Sequence, residues 1–214
     1  SDYAWVSNSG GGGGDPDLYR DNASSATTPS ATGSNAVAIG SNSTSSGNQS
    51  VALGGSNASG LGAFAFGLSS TSSSIYSNAF QRSTASGQGS FAAGSNGNNV
   101  GSVAAGIGSM ALATSYAFGT SSFAAAITNN TSTYGATGAN SIAMGELAKS
   151  TNTDSVAIGS GAAATGSESM ALHKSSLASG LNSTALGMGA YATATNSIAL
   201  GTSAYAYGAG GAAL

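Results

Sequence analysis

The sequence contains no cysteine and very little charge. Of its 214 residues, 4 are Lys or Arg and 7 are Asp or Glu, which gives a formal net charge of −3. The absence of cysteine excludes disulfides, zinc ribbons and a thiol nucleophile. So few basic residues argue against nucleic-acid binding, which needs a basic face. No run of 18 apolar residues is present, so the sequence predicts no membrane-spanning helix.

Large apolar side chains are scarce as well. Leu, Ile, Val and Phe together number 31, whereas Ala, Ser and Gly make up 118 of the 214 residues. An ordinary globular domain of this length buries most of its surface behind large side chains, so the composition argues against helical bundles and α/β folds. Two classes remain, a disordered Gly/Ser-rich segment or a repeat fold built from small residues.

The residues that are present form a periodic repeat. The hexad Asn-Ser-Ile-Ala-Met-Gly at residues 140–145 returns, with substitutions, at 35–40, 49–54, 154–159, 168–173, 182–187 and 196–201. Within the hexads, a series of large apolar residues is spaced 14 apart, namely Met144, Ile158, Leu172, Leu186 and Leu200. A disordered segment would not keep this register, so the sequence predicts a repeat fold.

Each repeat has room for two short strands and two turns. Val37 and Ile39 alternate with Ala38, which is the period of two that a strand shows. We expect the large apolar side chains to point into the core and the middle alanine to face outward, where neighbouring chains can approach closely. The polar residues that open the hexads, from Asn35 to Asn196, would form a column whose side chains hydrogen-bond as a ladder.

The repeat divides the chain into three parts. Residues 1–34 do not repeat and hold the only Trp and both prolines, so we interpret them as a leader or an N-terminal cap. Residues 35–139 repeat loosely, through glycines such as Gly94, Gly106 and Gly119, and we expect an irregular loop near 128–138. Residues 140–214 repeat regularly, and the whole roll should contain about 14 rungs. Aromatic residues cluster in the loose part and are expected to fill a wider core there.

The hexads at 140–145 and 154–159, at a 14-residue period, resemble the head repeats of YadA-like trimeric autotransporter adhesins of Gram-negative bacteria. The resemblance covers about residues 35–214. It implies an all-β fold, a left-handed parallel β-roll (a solenoid) whose two-strand rungs follow that 14-residue period, packed as a homotrimer. Because the family's C-terminal membrane anchor is not among these residues, we interpret the chain as a head fragment, the extracellular portion of an outer-membrane protein at the cell surface.

The resemblance also implies a function and a set of contact residues. Heads of this family bind collagen, other extracellular-matrix proteins, host cells or abiotic surfaces, and their hexads have been linked to collagen binding. Carried over to this chain, the candidate ligand-binding residues are Asn140, Ser141, Asp154, Ser155, Ser160, Asn196 and Ser197. The alternative is that the hexads are scaffold only, as repeats of solenoid proteins often are.

Two further interpretations concern function. The same roll is also suited to a structural shaft, such as part of a phage tail fibre or an extracellular filament. No catalytic constellation, cofactor motif or metal-ligand spacing occurs in the sequence, so we expect no enzyme, no cofactor and no metal.

The charged residues of the hexads have a structural interpretation. We interpret His173 and Lys174, which stand where most hexads have Gly, as a solvent-exposed turn. We interpret Asp154 and Glu168 as substitutes for Asn in the polar column.

Overall fold

The computed structural model describes residues 27–95, 100–128 and 133–214. These residues form 26 short β-strands and no helix, arranged as two parallel sheets of 13 strands each. Successive strands alternate between the sheets, so that two strands and two corners make one rung of a parallel β-roll. Because the described ranges contain no helix at all, they offer none long and apolar enough to cross a membrane.

We call the two sheets A and B. The odd-numbered strands form sheet A and are β1 (Ser30–Ala31), β3 (Thr44–Ser45), β5 (Asn57–Ala58), β7 (Thr71–Ser72), β9 (Thr84–Ala85), β11 (Val103–Ala104), β13 (Tyr116–Ala117), β15 (Gly135–Ala136), β17 (Lys149–Ser150), β19 (Ala163–Ala164), β21 (Leu177–Ala178), β23 (Tyr191–Ala192) and β25 (Tyr205–Ala206). The even-numbered strands form sheet B and are β2 (Val37–Ile39), β4 (Val51–Leu53), β6 (Phe64–Phe66), β8 (Asn78–Phe80), β10 (Phe91–Ala93), β12 (Met110–Leu112), β14 (Phe123–Ala125), β16 (Ile142–Met144), β18 (Val156–Ile158), β20 (Met170–Leu172), β22 (Thr184–Leu186), β24 (Ile198–Leu200) and β26 (Ala212–Ala213).

The pairing register gives the length of each rung. From Ile142 onward each strand of sheet B pairs with residues 14 further along the chain, as Ala143 does with Ala157. Earlier rungs keep this step or are one residue shorter, apart from two longer steps in which Phe91 pairs with Met110 and Phe123 with Ile142. The predicted 14-residue, two-strand rung is therefore confirmed, but each sheet has 13 strands rather than about 14.

All variation in rung length falls at one corner of the roll. The loops that lead from sheet A to sheet B, which we call the constant corner, have five residues in every rung. The loops from sheet B to sheet A, the variable corner, have three or four residues, except for nine-residue loops at 94–102 and 126–134. The second overlaps the loop expected near 128–138, of which residues 129–132 lie outside the described residues and Gly135–Ala136 form β15. The first was not expected from the sequence. Gly94 lies at the variable corner, whereas Gly106 and Gly119 lie at the constant corner. These glycines therefore do not occupy equivalent positions in successive rungs.

The roll also begins earlier than the repeat suggested. Strand β1 lies within residues 1–34, and its Ser30 pairs in parallel with Thr44 of β3. At least this part of the segment therefore belongs to the roll. The rest of the expected leader or cap, residues 1–26, lies outside the described residues.

The interior of the roll consists of alanine and serine, not of the large apolar residues. Ala143 and Ala157 are fully buried, whereas Met144 is 38% and Ile158 39% exposed. The expectation that the large side chains point inward was wrong. Two- and three-residue strands joined by short corners enclose a space too narrow for branched side chains, so the small member of each alternating pair turns inward. Among the described residues the only fully buried large aliphatic side chain is that of Ile127, in the second nine-residue loop.

The aromatic residues of the loosely repeating part also lie outside the core. Phe66 is 47% exposed, Phe118 56% and Tyr76 58%. The expectation of a wider aromatic core was therefore wrong. The same alanine column continues through this part, because Ala65, Ala79, Ala92, Ala111 and Ala124 are fully buried.

The polar column is explained by the backbone of the constant corner. The fourth residue of every constant corner has a φ between 54° and 66°. Asn and Asp tolerate this left-handed conformation better than most residues with a side chain. The expected ladder is present between two pairs, since Asn140 Nδ2 donates to Asp154 Oδ1 at 3.0 Å and Asn182 Nδ2 donates to Asn196 Oδ1 at 3.3 Å.

A buried serine usually closes the same corner. The hydroxyl of Ser141 donates to the carbonyl oxygen of Gly138 at 2.7 Å, three residues back along the chain, and Ser183 donates to Gly180 in the same way at 2.7 Å. These bonds satisfy turn carbonyls that are turned toward the interior. The serine that follows the polar residue in the hexads therefore has a structural role.

Candidate interaction surfaces of the roll

The outer face of sheet B is apolar along most of the roll. It is formed by the first and third residues of each strand, on either side of the buried alanine. Its large apolar side chains are Val37, Ile39, Val51, Leu53, Phe64, Phe66, Phe80, Phe91, Met110, Leu112, Phe123, Ile142, Met144, Val156, Ile158, Met170, Leu172, Leu186, Ile198 and Leu200. We call this the apolar face. Phe66 and Leu186 are still 47% and 46% exposed, and a continuous apolar surface of this kind marks an interaction site.

Four phenylalanines form the aromatic part of the apolar face. The ring centroids of Phe64 and Phe80 are 5.5 Å apart, those of Phe66 and Phe80 6.3 Å, and those of Phe80 and Phe91 5.4 Å. These separations lie within the range of favourable aromatic pairs. The rings thus pack on one another across neighbouring rungs while one side of the cluster stays open.

The outer face of sheet A is polar at its N-terminal end and aromatic at its C-terminal end. Thr44, Asn57, Thr71 and Thr84 stand in one column because their strands pair in register. At the other end Tyr205 is flanked by two further tyrosines, with ring centroids 5.1 Å from Tyr191 and 5.8 Å from Tyr207. Both rings lie within 18° of parallel to that of Tyr205.

Charged groups are sparse on both faces. In the described part of the chain no three His, Asp or Glu side chains come together as a metal site would require. His173 and Lys174 are exposed at the variable corner, which confirms their interpretation as a surface turn. His173 has a φ of 99° at a position that is Gly in most rungs, so its backbone is strained there.

The seven predicted contact residues do not form one site. Asn140, Asp154 and Asn196 are exposed at the constant corner, and Asn140 and Asp154 are in direct contact through their hydrogen bond. Ser160 is exposed at the variable corner, at the other end of β18.

The other three predicted contact residues face the interior. Ser141, Ser155 and Ser197 are fully buried, and their hydroxyls donate to turn carbonyls. Their side chains do not reach the surface. The apolar face was not among the predicted contact regions, although the period of two places its residues on one side of the strand.

The fold and its surfaces define a class of protein, a parallel β-roll with a small-residue interior and a repeated outer surface. The family model described as the YadA head domain repeat matches residues 31–57, 136–162, 164–190, 178–204 and 192–214, together close to half of the chain. These matches, together with the fold, support a YadA-like head.

The chain is also similar to a solved structure. It is the crystal structure of the collagen-binding domain of the Yersinia adhesin YadA, which is 22% identical in sequence, with a TM-score of 0.35. The match covers 84% of this chain and 68% of that chain. No curated protein matches the sequence significantly.

Proposed function

We propose that the roll is the head of a bacterial cell-surface adhesin that attaches to extracellular-matrix proteins, cells or abiotic surfaces. The observation that carries this proposal is the set of YadA head domain repeats spread along the roll. In its native setting the head lies outside the cell and is held at the outer membrane by other parts of the protein.

Attachment works through many weak contacts. Parallel strands place equivalent residues of successive rungs about 4.8 Å apart, so a ligand with a periodic surface meets the same groups again and again. Contacts that are weak one by one add up to strong overall binding when they are linked. On the constant corner the contact residues are Asn140, Asp154 and Asn196, whose side chains are exposed. Ser160 adds a contact at the variable corner.

The adhesin is a homotrimer in which the apolar face of each roll is covered by its neighbours. Ile158, Leu186 and Ile198 are 39%, 46% and 42% exposed in the single chain. Leaving such side chains in water costs free energy in proportion to their apolar area. Association of three rolls along their apolar faces removes that area and leaves the polar corners free for ligands.

Sedimentation of the 214-residue chain tests the trimer. We expect a trimer for the wild type and a monomer for a variant that carries both Ile158→Asp and Leu186→Asp on the apolar face. The matched control is Ser179→Asp, an exposed position beside sheet A, which should remain a trimer. A folded wild-type monomer at micromolar concentration would contradict the assignment of the apolar face to self-association.

Binding to collagen-coated and uncoated surfaces tests the adhesin function. Replacing Asn140, Asp154 and Asn196 together by Ala should weaken binding, whereas Thr44→Ala on the outer face of sheet A should not. The monomeric variant should bind about a hundredfold more weakly than the trimer, because avidity is lost. A trimer that binds no matrix protein, cell or surface would contradict the proposal.

One observation favours a second candidate function, that of a rigid shaft. Both sheets run without interruption through 13 strands, and such a ladder makes a stiff spacer whatever its surface does. A folded trimer that binds none of the surfaces in the assay above would support the shaft over the adhesin.

A further inference from the structure

Three tyrosines form a cluster on the outer face of sheet A, the sheet opposite the apolar face. The ring centroids of Tyr191 and Tyr205 are 5.1 Å apart with their planes at 18°, and those of Tyr205 and Tyr207 are 5.8 Å apart with their planes at 13°. We call these three residues the tyrosine cluster. Neither the contacts of the proposed adhesin nor its self-association uses them.

The strand register places Tyr191 and Tyr205 side by side. They are the first residues of β23 and β25, which pair in parallel with Tyr191 directly opposite Tyr205. The residues that follow them, Ala192 and Ala206, are buried, so the alternation of the strand points both tyrosines outward. The amide of Tyr191 also donates to the carbonyl oxygen of Ala204 at 2.8 Å. As long as sheet A is intact, the two rings therefore stay neighbours.

The cluster is accessible from solvent. Tyr205 is 48% and Tyr207 66% exposed, and Tyr191 is partly exposed. Self-association along the apolar face would leave these rings free, because they lie on the other sheet. A reagent in solution can therefore reach the phenol groups of the folded protein.

Within the described residues, no other tyrosine ring is paired with a second phenol. Tyr116 stacks on Phe118 with ring centroids 6.0 Å apart, and phenylalanine has no hydroxyl group. Tyr76 is 58% exposed, but its ring covers Gly62, where a Cβ would stand 2.6 Å from the ring. What distinguishes the cluster is the pairing of its phenols, not their exposure.

Paired phenols support a reaction that a single phenol does not. A one-electron oxidant removes an electron and the hydroxyl proton from each ring, which leaves two phenoxyl radicals. The radicals join through ring carbons next to the oxygen-bearing carbons and form one C–C bond. The hydrogens on the joined carbons then move to the oxygens, which restores both hydroxyl groups. The pair loses two electrons and two protons in total, and hydrogen peroxide takes these up to become two molecules of water.

We propose that Tyr191 and Tyr205 are the site of an oxidative cross-link, formed by a haem peroxidase with hydrogen peroxide as the oxidant. Geometry favours this pair over Tyr205 and Tyr207. Its ring centroids are closer, and its backbones are about 4.8 Å apart across the sheet, against about 6.6 Å for alternate residues of one strand. The new bond ties β23 to β25 and closes a loop of one rung, which restricts the unfolded chain in the way that a disulfide does.

Treatment of the full 214-residue chain with peroxidase and hydrogen peroxide tests the site. We expect blue dityrosine fluorescence and the loss of two hydrogen atoms from the mass of a single chain. Cleavage of the denatured product after Leu200, which lies between the two tyrosines, should leave the flanking peptides joined. Tyr191→Phe and Tyr205→Phe should each lower the yield of joined peptides at least about tenfold, because proximity in the sheet drives the coupling. The matched controls, Tyr207→Phe and Tyr76→Phe, should leave that yield unchanged.

Moving one phenol to the other neighbour of Tyr191 tests the dependence on register. Leu177 pairs with Tyr191 from the opposite side, and its side chain is partly exposed. Tyr205→Phe combined with Leu177→Tyr should therefore restore a cross-link within one chain, now between positions 177 and 191. A folded double variant that does not couple would overturn the proposal. So would a wild type that forms no dityrosine while free N-acetyltyrosine amide couples in the same mixture, or a product joined only between chains on a denaturing gel.

Discussion

Ala157 and Ile158 are neighbours in β18, yet Ala157 is fully buried and Ile158 is 39% exposed. The two side chains leave the strand on opposite sides, and it is the smaller one that faces the interior. The same relationship holds in most other strands of sheet B, and Ala157 itself pairs with Ala143 and Ala171 of the rungs on either side. The alanine of each hexad therefore packs the interior of the roll, and the large residues beside it form the apolar face.

The first prediction exploits this pair. Ala157→Asp should prevent folding of the regular part of the roll, because it buries an unpaired carboxylate among alanines. Ile158→Asp should leave the strand signal in circular dichroism intact, because its carboxylate reaches the surface, while self-association is weakened. If Ile158→Asp prevented folding and Ala157→Asp did not, the inner and outer faces would be assigned wrongly.

A second prediction concerns the buried serines. The hydroxyl of Ser155 bonds to the hydroxyl of Ser150 at 2.6 Å and donates to the carbonyl oxygen of Asn152 at 2.5 Å, whereas the hydroxyl of Ser109 is buried without a partner. Ser155→Ala should lower the free energy of unfolding by about 1–3 kcal/mol, since it leaves buried groups unsatisfied. Ser109→Ala should be neutral or stabilising. Denaturant titration of both variants checks this, and equal losses would contradict the difference in bonding.

His173 provides a third prediction, in the direction of higher stability. Its φ of 99° lies outside the region that residues with a side chain adopt readily. His173→Gly should therefore raise the free energy of unfolding by about 1 kcal/mol, measured as a higher melting temperature. Ser175→Gly in the same loop is the control, because its φ of 56° is an ordinary left-handed value. An unchanged or lower melting temperature for His173→Gly would argue against backbone strain at this turn.

The fourth prediction concerns the second nine-residue loop. Ile127 is fully buried, and its amide donates to the hydroxyl of Ser115 at 3.1 Å. Ile127→Ala should destabilise the protein by about 2–5 kcal/mol, because the emptied space cannot close in a core made of alanine. The control is Ile107→Ala, where the side chain is 58% exposed and the loss should stay within about 0.5 kcal/mol. If both variants lose the same stability, Ile127 does not anchor the loop to the core.

The location of the candidate contact residues followed from the sequence only in part, and their role in binding stays a prediction. Asn140, Asp154 and Asn196 are exposed, because a turn position that favours Asn is a local property of the chain. Ser141, Ser155 and Ser197 carry equally polar side chains, yet each sits one residue further on, at the point where the corner turns inward. Whether a hydroxyl meets water or a buried carbonyl depends on that geometry and not on its polarity.

The sequence by itself determined the 14-residue period, the two strands in each rung and the class of repeat, because these are regularities along the chain. The tertiary structure alone decided which side of each strand is the inside. The alternation of Val37, Ala38 and Ile39 is the same whichever side of the strand faces inward, so the pattern does not show which side chains are buried. The width of the interior, which the short corners set, decides which side is buried. A space that narrow admits alanine and serine, so the larger side chains lie outside.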